Sequence, residues 1–210
     1  NHPNTHEIIK LIRKITDSVD DNILLVTETN VPSHENLEYF GNSNEAHIIY
    51  NFSLPPLLLH ALITGNSTWL RRWMMSLPPS NQSSTFLNFT ASHDGIGLRP
   101  AEGILPEREI QLMIKTVASF GGLVTNRVFG NNEVPYEINS TYLDALKGTT
   151  MGLDCHHMKR YLASQMIMIS LAGIPAFYIN SLLASPNDFD SAVKTGNNRA
   201  INREKLNFDE

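Results

Sequence analysis

The chain has 210 residues, 41% hydrophobic and 18% charged, a composition that suits one folded domain and excludes a disordered segment. A formal charge of −5 gives no broad basic surface of the kind that grips phosphates, so no nucleic-acid partner is expected. The apolar stretch over residues 166–178 is broken by Ser170, Gly173 and Pro175, and no stretch reaches the roughly 20 residues of a spanning helix, so no membrane span is expected. Cys155 is the one cysteine. It has no internal disulfide partner, and with His156 and His157 it makes no zinc-type spacing, so no metal site is expected. The opening at Asn1 without a methionine or signal pattern, and the charged stop at Glu210, read as a piece of a longer protein. Asn-x-Ser/Thr triplets at Asn51, Asn66, Asn81, Asn88 and Asn139 read as chance products of an Asn- and Ser-rich chain rather than glycosylation sites.

In chain order, Ile8, Leu11, Ile12 and Ile15 fall at helical spacing within residues 6–16 and predict an amphipathic helix. Residues 22–28 form an apolar run of strand length that ends on Glu28, and residues 46–52 form a second. Pro55-Pro56 opens a helix through Ile63, and another helix runs from Thr68 to Met75, followed by a loop over 76–84. A third strand over 85–92 ends on His93-Asp94-Gly95. A helix begins at Pro106, residues 121–139 read as irregular with at most a short hairpin around Gly130, and a helical turn covers Leu143 to Leu146. A long apolar helix over 158–171 ends at Gly173, a fourth strand covers 174–179, and the chain turns polar from Ser181. Alternating helices and short buried strands predict an α/β protein with a parallel sheet, open or half of an eightfold barrel. No glycine-rich nucleotide-binding pattern follows any strand.

Chemically capable residues collect at strand C-terminal ends, where either architecture places an active site. Glu28 ends an apolar strand, and a desolvated wall behind it would suit a general acid. Asp94 beside His93 at a glycine-bearing turn suits a grip on hydroxyls or on a developing cation. Two carboxylates at one face are the minimal equipment for glycosidic cleavage, and they also occur in metal sites and epimerases. Asn30, His34, Glu35 and Asn36 form a polar loop after Glu28, and Arg199 and Arg203 suit a phosphate or carboxylate. Trp69 and Trp73, and the methionine-rich helix from Met158 to Met168, read as core.

The segments Thr27-Glu-Thr-Asn-Val-Pro32, His34-Glu-Asn36, Tyr39-Phe-Gly41 and Thr85-Phe-Leu-Asn-Phe-Thr-Ala-Ser-His-Asp-Gly-Ile-Gly97 resemble the sucrose phosphorylase subfamily of glycoside hydrolase family 13. The likeness continues through Arg99-Pro-Ala-Glu-Gly-Ile-Leu105, Pro135-Tyr-Glu-Ile-Asn139, Gly173-Ile-Pro-Ala-Phe-Tyr178 and Arg199-Ala-Ile-Asn-Arg203. The resemblance implies a (β/α)8 TIM barrel of which residues 1–183 are the second half, strands five to eight. Residues 184–210 would then be a polar segment leading toward a further domain. It implies Glu28 as general acid/base, Asp94 with His93 as the transition-state carboxylate and imidazole, and Arg203, with Arg199 behind it, at the donor sugar. Tyr136 would meet phosphate or acceptor, with Glu137 as a specificity residue.

The implied activity of the whole enzyme is phosphorolysis of sucrose or a related glucoside to glucose 1-phosphate. The partners are the glucoside and inorganic phosphate, with no metal or organic cofactor, and the setting is cytoplasmic. A hydrolase or transglucosidase of the same family, or a truncated sugar-binding fragment, are the alternatives. The family's nucleophilic aspartate lies in an Arg-x-Asp motif, and an earlier Asp-x-x-x-Asn-His motif accompanies it; neither occurs in these residues. A retaining mechanism needs both carboxylates, so the chain alone is expected to be inactive and to aggregate, dimerise or depend on the first half of the barrel.

Overall fold

The computed structural model describes residue 2, residues 4–79 and residues 83–207. It opens with α1 (Asn4–Val19), β1 (Val26–Thr27), α2 (Ser33–Glu38), β2 (Ile48–Tyr50), α3 (Leu54–Thr64), α4 (Thr68–Ser76) and β3 (Thr85–Asn88). An excursion follows, made of β4 (Ile96–Gly97), a 3-10 turn at Arg99–Ala101, α5 (Glu107–Ser119), β5 (Leu123–Phe129), β6 (Asn132–Asn139), α6 (Tyr142–Ala145), β7 (Gly148–Thr149) and β8 (Gly152–Leu153). The chain returns through α7 (His157–Ser170) to β9 (Ile174–Pro175), then α8 (Ile179–Leu182), α9 (Phe189–Thr195) and a 3-10 turn at Asn198–Asn202.

The four strands β1, β2, β3 and β9 form one parallel sheet in that order, with Val26 opposite Ile48, Ile48 opposite Thr85 and Leu87 opposite Ile174. Neighbours in the sheet therefore follow chain order. That is the winding of a β/α barrel; a doubly wound sheet reverses its order at a switch point.

The strands are shorter than the apolar runs suggested. β1 takes only two of residues 22–28, because it lies at the sheet's edge with β2 as its one neighbour; Leu24 and Val26 are exposed. At the other edge Pro175 has no N–H to offer, and β9 stops there instead of running to Ile179. Gly173 precedes it at φ 131°, where a Cβ would lie 2.7 Å from the Phe86 carbonyl oxygen, so this close approach requires glycine.

The principal core lies among the helices. Nine residues of α3 are buried, from Leu54 to Ile63, so this helix is apolar on every side and packs against α4, α5 and α7. Pro55 and Pro56 open it where their missing N–H groups have no intrahelical partner, and Gly65 ends it in the left-handed conformation. Trp73 is buried and donates from its indole nitrogen to Ser33 Oγ at 3.2 Å, while half-buried Trp69 stands edge-on to His60.

Other expectations are corrected. Residues 121–139 form a full antiparallel hairpin, β5 with β6, turning through Gly130 and Asn131, and β4 adds a third strand to it. Its bulge falls between Thr125 and Asn126, the residue opposite Pro135, and absorbs a proline that reads as a strand breaker. α7 is core on one face only: Tyr161 and Met168 are buried, whereas Met158, Leu162, Met166 and Ile169 are exposed. Likewise α1 buries none of its side chains, and Ile8, Leu11, Ile12 and Ile15 face solvent. The triplets at Asn51, Asn88 and Asn139 are buried, Asn66 is exposed, and Asn81 lies outside the described residues. No described helix is long and apolar enough to cross a membrane.

Candidate functional site

Beyond the C-terminal end of β3 the chain makes a loop, Ala91 to Gly95, whose shape is set by its partners. Asn202 donates from Nδ2 to the carbonyl oxygens of Ser92 (3.2 Å) and Asp94 (2.9 Å), and the Asp94 N–H donates to Ser92 Oγ at 3.1 Å. At Gly95 a Cβ would lie 2.6 Å from Asn139 Nδ2 and 2.8 Å from the Ile138 carbonyl oxygen, so glycine lets the loop press onto β6. These contacts present the Asp94 carboxylate, about one-quarter exposed, above the end of the sheet.

Two arginines from the 3-10 turn and its cap meet that carboxylate. Arg199 donates from one terminal nitrogen to Asp94 Oδ1 at 2.7 Å, and Arg203 reaches the same oxygen at 3.3 Å while its Nε donates to the His93 carbonyl oxygen at 2.6 Å. His93 Nε2 lies 3.7 Å from Oδ1 and its ring is exposed. Asp94 Oδ2 takes no hydrogen bond among the described residues, and a free carboxylate oxygen beside an exposed imidazole is suited to receive a hydroxyl.

Arg199 is anchored from behind by Glu137, which is 1% exposed. Its Nε and second terminal nitrogen donate to the two Glu137 oxygens at 2.8 and 2.9 Å, the bidentate fork that matches guanidinium to carboxylate. Asn139 Nδ2 adds a third donor at 2.9 Å, and Thr125 Oγ1 in turn holds Asn139 Oδ1 at 2.6 Å. The Glu137 hydrogen bond, with the charges of Glu137 and Asp94, holds the Arg199 guanidinium above its ordinary range against the opposing effect of burial. Both of Glu137's oxygens are thus occupied, and Arg199 has donors directed to carboxylates on two sides.

Asp94, His93, Arg199, Arg203 and Glu137 therefore form one connected cluster, which residues 184–207 complete by folding back over the hairpin. Asn198 Nδ2 donates to the Val124 carbonyl oxygen at 3.2 Å, and Asn187 Oδ1 accepts from the Thr141 N–H at 2.7 Å. Asn187 carried no signal in the sequence, and Asn139 and Asn202 appeared there only inside quoted motifs, with no part in positioning the carboxylate.

Glu28 stands apart from this cluster. It lies beyond the C-terminal end of β1, two strands from β3 at the same end of the sheet, and is exposed. The desolvated wall expected behind it is absent among the described residues, because β1 is an edge strand. It faces neighbouring β2 closely enough for its charge to add to burial in raising the Tyr50 phenol. Tyr136 is half-buried, and its hydroxyl accepts from Asn30 Nδ2 at 3.3 Å, which ties the hairpin to the loop after Glu28. Within that loop Asn36 is structural: it accepts from Thr29 Oγ1 at 2.8 Å and donates to the Tyr50 carbonyl oxygen at 2.8 Å. His34 lines a cavity of about 610 Å³ with Trp69, Arg72 and Glu102, which shares no residue with the Asp94 cluster. No group of three metal-ligating side chains occurs among the described residues.

No protein-family model matches the chain. It is 44% identical over 208 residues to a glucosylglycerate phosphorylase of Spirochaeta thermophila, covering 99% of this chain and 35% of that protein. It is 34% identical over 168 residues to a sucrose phosphorylase of Bifidobacterium adolescentis, covering 74% of this chain and 31% of that protein. Its fold matches a crystal structure of sucrose 6F-phosphate phosphorylase from Thermoanaerobacter thermosaccharolyticum with a TM-score of 0.83 and 24% identity, over all of this chain and 40% of that one. The chain spans about a third of the length of the curated relatives it matches. Over that third, its relatives are glucosylglycerate and sucrose phosphorylases of glycoside hydrolase family 13.

Proposed function

We propose that the protein carrying this chain is a retaining glucoside phosphorylase, which transfers a glucosyl unit from a small acceptor to inorganic phosphate and yields glucose 1-phosphate. The observation that carries this reading is the placement of Asp94, held by Arg199 and Arg203, at the same end of the parallel sheet as Glu28. In this reading Asp94 and His93 grip donor-sugar hydroxyls and oppose the positive charge that develops on the sugar. Arg203 reaches the same sugar, and Tyr136 faces the acceptor. Glu28 protonates the departing oxygen and then takes a proton from the attacking group. Arg199 and Glu137 hold Asp94 in place rather than touching substrate, since their polar atoms are already engaged. The substrate class follows the relatives, of which the glucosylglycerate phosphorylase at 44% identity favours an acidic three-carbon acceptor over fructose.

In the same reading this chain is the second half of a (β/α)8 barrel, and the covalent nucleophile belongs to the first. The exposed apolar stripe of α1 and the open edges at β1 and β9 support it, since an adjoining half would cover them. Glu28→Gln in the full-length protein tests the assignment. Loss of a general acid/base lowers kcat by about 10²- to 10⁴-fold, with substrate affinity changed little. Undiminished turnover in that variant removes Glu28 from the chemistry.

A further inference from the structure

Among the described residues Arg99 enters no ion pair, although its side chain is half-buried beside the Glu28 loop. Its one hydrogen bond is long, 3.4 Å from a terminal nitrogen to the Asn30 carbonyl oxygen, and its Nε is buried without an acceptor. The Asn30 Oδ1 is likewise buried without a donor. A half-buried guanidinium without a counter-charge is costly, and buried polar atoms without partners are rare in native structures. By contrast Arg199, Arg203, Arg127 and Arg160 each meet a carboxylate.

The surroundings of Arg99 are built to hold it. It starts a 3-10 turn whose Pro100 carbonyl oxygen accepts from buried Ser53 Oγ at 2.9 Å. At Gly97 a Cβ would lie 2.9 Å from Asn30 Nδ2, so the Asn30 carboxamide packs directly on β4. On its other side Asn30 Nδ2 donates to the Tyr136 hydroxyl at 3.3 Å, which leaves the Tyr136 hydrogen to be donated elsewhere. Asn30 is thus flanked by a guanidinium and a phenolic O–H, two residues beyond Glu28.

We infer that Arg99 and Tyr136 form a seat for an oxyanion at the acceptor position, taking the carboxylate of a small hydroxy acid or the oxygens of inorganic phosphate. Arg99 supplies the charge and fork, Tyr136 a second donor, and Asn30 orients both. This rests on the glucosyl-transfer reading above and deepens it by giving the acceptor a charge. It also names a specificity residue, because a neutral polyol leaves the guanidinium as uncompensated as before.

The test uses the full-length protein and its Arg99→Gln and Arg99→Lys variants, with D-glycerate, glycerol or phosphate as the probe. Kinetics are followed as acceptor use with glucose 1-phosphate as donor, and as phosphorolysis. Loss of one charge-assisted contact in Arg99→Gln raises the KM for the seated anion about 10- to 100-fold, with the KM for glycerol and the melting temperature unchanged. If the seated anion is the acceptor's carboxylate, the glycerate KM alone rises; if it is phosphate, the phosphate KM rises while those for glycerate and glycerol stay unchanged. Arg99→Lys keeps part of the affinity through its charge and separates lost binding from lost folding. Unchanged constants for both anions in Arg99→Gln overturn the seat. Absence of any turnover by the wild type defeats the glucosyl-transfer reading alone, and the seat is then read by melting. Protection of the wild type by glycerate or phosphate beyond glycerol, lost in Arg99→Gln, supports it, and equal protection of both proteins overturns it.

Discussion

At the scale of single residues, the Asp94 carboxylate is placed by a chain of contacts that ends in a buried one. Arg199 can hold Asp94 Oδ1 at 2.7 Å because its other two donors are locked on Glu137, itself 1% exposed. Arg199→Met leaves the Glu137 charge buried with Asn139 as its remaining donor. Breaking a buried pair costs about 3–5 kcal/mol, and since Arg199 is about one-third exposed the low end, about 3 kcal/mol, is expected in chemical denaturation. Adding Glu137→Met removes the stranded charge and restores most of that stability, yet kcat stays low because Asp94 keeps only the longer 3.3 Å contact to Arg203. Recovery of stability and kcat together would show that Arg199 acts only on folding. The placement of Asp94 and Glu28 beyond strand ends was legible in the sequence, because each follows a run of strand length. The burial of Glu137 was not legible, because it depends on Arg199, 62 positions away, and no local pattern reports that.

Among the elements, the join of β1 to β2 carries a titratable lock. His47 Nδ1 accepts from the Leu25 N–H at 2.9 Å, and the His47 N–H donates to the Leu25 carbonyl oxygen at 2.8 Å. Burial chiefly, with Arg13 nearby, pushes the His47 imidazole below its ordinary range, and a protonated Nδ1 cannot accept the bond. The unfolded imidazole, with a pKa of about 6.5, therefore takes up its proton first as pH falls. Stability is full above that value and is lost as pH falls through the lowered folded value. His47→Asn, which keeps an uncharged acceptor, is expected to show a shallower fall in melting temperature between about pH 7 and pH 5; an identical fall in both proteins would place the acid sensitivity elsewhere. The α/β alternation and the helices from residues 4, 54, 68, 107 and 157 were readable from periodicity and prolines. The β5–β6 hairpin was not, because Pro135 argues against a strand unless the bulge opposite it is known. Nor was the packing of residues 184–207, whose polar side chains find their partners on β5, β6 and the Asp94 loop, far away in the chain.

For the whole molecule, the sheet has two open edges, and α1 turns Ile8, Leu11, Ile12 and Ile15 to solvent. The hydrophobic spacing of α1 predicted an amphipathic helix, and the structure shows that helix with none of its side chains buried. In the proposed reading, a complementary set of strands and helices would cover both edges and the α1 stripe and would bring a nucleophilic carboxylate opposite Glu28 and Asp94. Under the proposed half-barrel reading, full function requires more than these 210 residues. The most direct measurement is release of glucose 1-phosphate from α-glucosylglycerate and from sucrose, with and without inorganic phosphate, by the full-length protein and by this chain alone. The account expects glucose 1-phosphate from the full-length protein only when phosphate is present, with glucosylglycerate the better donor, and none from the isolated chain. Free glucose released irrespective of phosphate, or turnover by the isolated chain, would contradict it.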